Sequence, residues 1–100
     1  MGTIKAFVKV PGTAGTMKRI ENSDETLKQL VGGEIRNLFI TDELVAVVNE
    51  AGSLLDLSYN CTIGRVPLRG TVVLVGLGKN GYKNVGFSVA DCMFICGVRA

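Results

Sequence analysis

The sequence predicts an α+β domain, with a small mixed or antiparallel sheet of about five strands and one or two short helices. Three features indicate this class. Several stretches alternate apolar and polar residues, an Asn-Gly pair marks a tight hairpin, and two stretches open on residues that cap helices. The chain has 100 residues, which predicts a single domain spanning 1–100.

The N-terminal stretch predicts a hairpin. Thr3–Val10 alternates with a period of two, so we expect a half-buried strand whose apolar face includes Ile4 and Val10. The residues at 11–15 (PGTAG) suit a turn, and Thr16–Glu21 can pair back as the second strand.

A short helix is expected next. Asn22 or Ser23 can cap its free N–H groups, and an Asp-Glu pair follows at the positive end of the helix dipole. An apolar stripe with i, i+3 and i+4 spacing then leads to the Gly-Gly pair at 32–33. One of these glycines can adopt the left-handed conformation that ends a helix.

Two further strands are predicted at Glu34–Thr41 and Leu44–Glu50, joined by a turn at 42–43. The second is almost continuously apolar, which is typical of a central strand. Ser53–Ile63 has no regular pattern, so we expect a connection that contains one helical turn.

The strongest strand signal is Thr71–Leu77, and the Asn-Gly pair after it predicts a hairpin that returns through Tyr82–Phe87. Gly76, Gly78 and Gly81 form a G-x-G-x-x-G motif, which opens a helix in dinucleotide-binding proteins. No helix start follows the motif here. A glycine-rich hairpin is therefore predicted in place of a phosphate-binding loop.

The C-terminal residues predict a short helix that begins with a capping box at 88–91. Cys92 and Cys96 have helical spacing, which indicates core packing. With Cys61 they make three cysteines, which form neither a disulfide framework nor a zinc motif. We therefore expect no metal, no cofactor and a reducing compartment.

The absence of histidine excludes Ser-His-Asp and Cys-His catalysis, so no catalytic residues are assigned. Met1–Val10 lacks the apolar run of a signal peptide, and no uncharged stretch is long enough to span a bilayer. These observations predict a cytoplasmic protein that binds no membrane.

The formal net charge of +2 is unevenly distributed, because the second half of the chain holds five basic residues against two acidic ones. Guanidinium groups bind phosphate and tyrosine rings stack on bases, so this half suits a small anionic ligand better than a long nucleic acid. Ordinary surface charge is the competing interpretation. The candidate ligand-binding residues are Arg65, Arg69, Tyr59, Asn60, Tyr82, Lys83 and Asn49.

Four short motifs together resemble a small domain-of-unknown-function family that is common in phages and mobile elements. They are V-G-G-x-I at 31–35, N-E-x-G at 49–52, Asn60 and G-T at 70–71, and the match covers roughly residues 1–90. Asp91–Ala100 departs from the more polar ending of that family. The resemblance implies a phage accessory protein. Some phage proteins of this size sequester cyclic-nucleotide immune signals, as anti-CBASS sponges do.

We therefore expect a non-enzymatic homo-oligomer that sequesters a cyclic dinucleotide in the host cytoplasm. A mean hydropathy of +0.34 supports self-association, because exposed apolar surface usually marks an interface. Inhibition of a host protein through an apolar face is the alternative, and a small hydrolase using Asp56 or Glu50 is a third. Asn49 and Glu50 can either hold a strand-to-turn bend or read a ligand.

Overall fold

A computed structural model describes residues 2–98 and confirms the α+β class. Its strands are β1 (Thr3–Lys9), β2 (Thr16–Glu21), β3 (Ile35–Thr41), β4 (Leu44–Asn49), β5 (Tyr59–Ile63), β6 (Val66–Arg69), β7 (Val72–Gly78) and β8 (Gly81–Lys83). Its helices are α1 (Asp24–Val31) and α2 (Val89–Ile95). No helix within residues 2–98 is long and apolar enough to cross a membrane.

Six strands form one antiparallel sheet in the order β2-β1-β7-β4-β3, with β8 also paired to β7. One edge of β7 is shared, since β1 pairs with its first half and β8 with its second half. The strands β5 and β6 form a separate antiparallel hairpin. Within residues 2–98, β2 and β3 therefore lie at the two edges of the main sheet.

The centre of the sheet is covered on both faces. All six residues of β4 and the first five of β7 are buried. A strand covered on both sides needs apolar residues at every position, which explains why these two segments do not alternate. The predicted central position of β4 is confirmed.

Each face of the sheet has its own hydrophobic core. Helix α1 packs Leu27 and Val31 against one face, which we call the α1 face. The β5–β6 hairpin and α2 cover the other, the hairpin face, where Cys61, Cys92 and Phe7 belong to one buried core. The predicted core packing of Cys92 and Cys96 is confirmed, since both are buried in this second core.

The helix ends follow from local hydrogen bonds. The Ser23 hydroxyl oxygen accepts from the Thr26 N–H at 3.1 Å, and Gly32 ends α1 in the left-handed conformation. The Ser88 hydroxyl oxygen accepts from the Asp91 N–H at 3.1 Å and caps α2. Both predicted helices are confirmed.

The expectation of an irregular Ser53–Ile63 is wrong for its last residues, because they form β5. Cys61 and Ile63 are buried against the main sheet, and a short turn at Gly64 and Arg65 returns the chain into β6. The two strands are short, and the Pro67 in β6 weakens the strand signal of its sequence. Alternation of apolar and polar residues alone therefore does not predict the β5–β6 hairpin.

Two smaller differences concern β1 and β8. The strand β1 is not half-buried, because Phe7 and Lys9 on its second face lie under the hairpin, whereas Val10 is 49% exposed. The predicted return strand Tyr82–Phe87 shrinks to β8, because the Val85 N–H donates to the Lys5 carbonyl oxygen at 2.9 Å. The chain thus turns away from β7 towards β1. The glycine motif forms the β7–β8 hairpin, as predicted.

Candidate functional site

A polar cleft lies where the end of β4 meets β6. Its volume is about 60 Å³. Two arginines on different elements line it, Arg36 from β3 and Arg69 from β6, together with Glu50 and Ser53 from the turn after β4. Guanidinium groups bind phosphate and carboxylate well, so two arginines in one small cleft can hold an anion.

Arg69 is held at this cleft by contacts that leave its guanidinium accessible. Its Nη1 donates to the Leu57 carbonyl oxygen at 3.0 Å and to the Asp56 carboxylate at 3.3 Å. The side chain of Asp56 is 94% exposed. Such an exposed ion pair contributes little free energy, so a ligand phosphate can replace the carboxylate.

Tyr59 lies directly across the hairpin from Arg69. The two residues are Cα partners in the β5–β6 register, and both are exposed. The Tyr59 hydroxyl shares a hydrogen bond of 2.7 Å with the Thr62 hydroxyl. This contact fixes one end of a ring that is 56% exposed and available for stacking.

Arg36 is the functional candidate that the sequence analysis missed. It is exposed, and among residues 2–98 no ion pair includes it. Its Cα partner in β4 is Val48. The pairing of β3 with β4 therefore places Arg36 next to Asn49 and Glu50, at the end of β4. A lone arginine in an alternating strand carries no sequence signal for this position, because the signal lies in the pairing of β3 with β4.

Asn49 also lines the cleft, but its amide is used inside the protein. The side-chain nitrogen donates to the Val31 carbonyl oxygen at 3.0 Å, and the oxygen accepts from the Ala51 N–H at 2.7 Å. A Cβ added at Gly33 would lie 3.0 Å from that nitrogen. Asn49 therefore ties the end of α1 to the turn after β4, and it connects the V-G-G and N-E-x-G motifs in space.

We expect Asn49→Ala to lower the free energy of unfolding by about 1–2 kcal/mol, because the buried Val31 carbonyl and the Ala51 N–H both lose a partner. Asn22→Ala is the matched control, because within residues 2–98 the Asn22 amide makes a single part-buried bond, to the Tyr82 carbonyl oxygen. Urea unfolding followed by far-UV circular dichroism measures both. Equal losses in the two variants would contradict the bridging role of Asn49.

Asn60 is also committed to the protein interior. Its amide nitrogen donates to the carbonyl oxygens of Lys9 and Gly70, at 2.7 and 2.8 Å. Its side-chain oxygen accepts from the Lys9 ammonium at 2.6 Å. Both amide hydrogens are thus used within a buried network, and Asn60 offers none to a ligand at the cleft.

The three buried cysteines differ in their pKa values. Interaction with the Cys96 thiol lowers the pKa of Cys61 to about 7, and the Lys9 charge adds to this, although burial opposes the shift. The same interaction and burial raise the pKa of Cys96. Burial raises the pKa of Cys92 to about 11, with a contribution from Asp91.

The remaining candidates lie elsewhere. Arg65 is in the hairpin turn, at the opposite end of β6 from Arg69. Tyr82 packs with the α1-face core and donates its hydroxyl to Asn37 at 2.8 Å, and burial raises the pKa of Tyr82. Lys83 lies over Gly76, on the hairpin face. Of the seven predicted residues, Asn49 and Arg69 thus line the cleft, and Tyr59 lies beside it as the partner of Arg69 across the hairpin.

Fold and cleft together define a small α+β protein whose antiparallel sheet is covered on both faces and whose covering hairpin carries a polar cleft at one end. The chain belongs to the DUF3846 family, a domain of unknown function, whose sequence pattern matches residues 4–92. The predicted relationship to a family of unknown function is confirmed at this level. No curated protein and no solved structure matches the chain.

Proposed function

We propose that the protein binds a small phosphate-bearing ligand at this cleft and does not transform it. The observation that carries the proposal is the position of Arg69, which faces Tyr59 across the hairpin and lines the cleft with Arg36. The two guanidinium groups hold the phosphate, and the Tyr59 ring stacks on the base.

The size of the cleft limits how the ligand is held. A volume of about 60 Å³ is far below the ~300–1,000 Å³ of pockets that enclose a drug-sized molecule. Only a phosphate-sized group enters the cleft, and the rest of the ligand lies on the outer face of the β5–β6 hairpin. Such a site depends on charge and stacking and gains little from enclosure.

The specific ligand that we propose is a cyclic dinucleotide. Its two bases and two phosphates exceed what one such cleft holds. Two copies of the chain would therefore bind one ligand together, and each copy would contribute one cleft. Sequestration of this signal in the host cytoplasm would make the protein a phage counter-defence factor of the anti-CBASS type. The resemblance to a family that is common in phages and mobile elements supports this role, and the cleft chemistry is compatible with it.

Isothermal titration calorimetry with a panel of cyclic dinucleotides, mononucleotides and inorganic phosphate tests the proposal. We expect Arg69→Gln and Arg36→Gln each to weaken binding about tenfold or more, which corresponds to the loss of one charge-assisted contact. Arg65→Gln is the matched control, because it makes the same charge change at the other end of β6. It is expected to leave affinity unchanged.

Three results would count against this function. Absence of binding to every member of the panel would contradict it, as would equal weakening by the Arg65 and Arg69 variants. Ligand released by heating the complex is expected to be intact. Recovery of a hydrolysed product would instead indicate an enzyme, and Glu50→Gln would then test the carboxylate that lines the cleft.

A second candidate function is inhibition of a host protein through an apolar interface. The observation in its favour is a groove of about 250 Å³ between β3 and the hairpin turn, lined by Leu38, Ile40, Ile63 and Val66. A purified stoichiometric complex with one host protein, containing no nucleotide and lost on Leu38→Ser, would favour this function over ligand sequestration.

A further inference from the structure

The strand β3 lies at an edge of the main sheet, and the hydrogen bonds to β4 show which of its backbone groups point away from the sheet. The Glu50 N–H donates to the Glu34 carbonyl oxygen at 2.8 Å, so this pair is hydrogen-bonded across β3 and β4. Bonded and non-bonded pairs alternate along an antiparallel ladder. Arg36 and Leu38 therefore bond to β4, and Ile35, Asn37 and Phe39 direct their N–H and C=O groups outward.

The composition of β3 is unusual for an exposed edge. Proteins protect such edges with charged side chains, and the opposite edge strand, β2, follows this rule with Lys18, Arg19 and Glu21 among its six residues. Within its seven residues β3 carries one charge, Arg36. Its Phe39 is also 63% exposed. These features are typical of an edge that pairs with another strand.

The two ends of β3 differ in charge. At its start, Arg36 carries no ion pair among residues 2–98, whereas Glu34 is bound by Lys28 at 3.4 Å. At its end, the turn into β4 carries Asp42 and Glu43. Antiparallel pairing of two β3 strands would place the positive end of each beside the negative end of the other. Charge complementarity therefore favours a second copy of this chain as the partner.

We propose that two copies of this protein pair through β3, antiparallel and with Phe39 on the two-fold axis. Outward-directed residues must face one another across such a pair, and this register satisfies that condition. It places Phe39 opposite Phe39 and Leu38 opposite Ile40, so apolar residues meet apolar residues on each face. A symmetric interface of this kind repeats every contact twice.

The charged groups lie at the rim of this interface. The register of β3 with β4 shifts between Phe39 and Thr41, which ends the regular ladder and starts the turn. Asp42 and Glu43 thus lie just beyond the paired residues, within reach of the long Arg36 side chain of the other copy. The interface provides the two copies on which cyclic dinucleotide sequestration depends, but it requires no ligand and stands without that function.

Sedimentation velocity of the full chain over a range of concentrations, without nucleotide, tests the dimer. We expect a reversible dimer whose dissociation constant rises about tenfold or more in Phe39→Lys, which sets two like charges against each other on the axis. Phe94→Lys is the matched control, since Phe94 is a phenylalanine of α2 that is 82% exposed. Far-UV circular dichroism verifies that both variants fold.

Charge reversal tests the orientation. Arg36→Glu and Asp42→Arg are each expected to weaken the dimer, and the variant with both changes is expected to recover it, because attraction is restored with the signs exchanged. A wild-type chain that remains monomeric, or that pairs only with a strand of another protein, overturns the proposal. Equal weakening by the Phe39 and Phe94 variants, or no recovery in the double variant, also overturns it. Arg69 lies outside β3, so Arg69→Gln is expected to weaken ligand binding and leave the dimer intact, whereas Arg36→Gln is expected to weaken both. The Arg69 variant therefore distinguishes loss of ligand binding from loss of dimerisation.

Discussion

Asn60→Ala is expected to lower the free energy of unfolding by about 3–5 kcal/mol, a large part of the ~5–15 kcal/mol that stabilises a typical domain. Asn60 joins three partners inside the hairpin-face layer, namely the Lys9 ammonium and the carbonyl oxygens of Lys9 and Gly70. Alanine removes all of these contacts at once. The largest loss comes from Lys9, which is 4% exposed. Among the described residues, its ammonium would keep only the longer contact to the carbonyl oxygen of residue 60, at 3.4 Å.

A double-mutant cycle with Lys9→Met separates the contributions. Lys9→Met alone is expected to cost about 1–2 kcal/mol or less, because an apolar chain of similar length replaces the buried charge. The Asn60 side-chain oxygen loses its close Lys9 donor, and the Asn60 carbonyl oxygen loses the longer contact. In the double variant no charge is stranded, so the combined loss is expected to be smaller than the sum of the single losses. Additive losses would contradict the network.

Lys5→Met is the matched control for Lys9→Met. Both lysines lie in β1 with their side chains on the same face, but Lys5 is exposed. Its replacement is expected to change stability by no more than about 0.5 kcal/mol. Urea unfolding is followed by far-UV circular dichroism, because the chain has no tryptophan.

The two lysines differ in whether their burial can be predicted from the sequence. Alternation in Thr3–Val10 placed both on a polar face, and this is correct for Lys5. Lys9 is buried because the β5–β6 hairpin covers that end of β1 and supplies Asn60 as its partner. A covering layer formed more than fifty residues later leaves no trace in the local pattern of β1.

The rest of the fold and the candidate site likewise divide into features that short stretches of sequence predict and features that depend on strand pairing. Turn chemistry and helix caps are local, so the hairpins around Asp42 and Asn80 and both helices could be predicted from short stretches. The cleft depends on strand pairing, which joins Arg36 to the end of β4 and sets Tyr59 opposite Arg69. The short motifs were visible in the sequence, but only the structure shows that Asn49 and Asn60 bind their own backbone.

Gly76→Ala is expected to destabilise the protein by about 2–3 kcal/mol, as overpacking of a well-filled core does. A Cβ at Gly76 would collide with the backbone carbonyl of Asn84 and would also press on the Lys83 side chain. The Asn84 backbone cannot simply move away. Its side-chain oxygen accepts from the Lys5 N–H at 2.7 Å, and the next residue, Val85, is bonded to the Lys5 carbonyl oxygen.

Gly78→Ala is the matched control within the same strand and the same G-x-G-x-x-G motif. A Cβ at Gly78 would meet the Lys83 Cδ atom at 3.3 Å, and that flexible side chain can shift. Its expected cost is about 0.5 kcal/mol or less. Thermal and urea unfolding measure both variants, and similar losses of stability would contradict the packing explanation.

The same two variants distinguish packing from a phosphate-binding role of the motif. If the motif formed a phosphate loop, both substitutions would weaken nucleotide binding at unchanged stability, whereas packing predicts a loss of stability at Gly76 alone. The motif thus reflects the close approach of the chain after β8, and the phosphate contacts that we propose lie at Arg36 and Arg69.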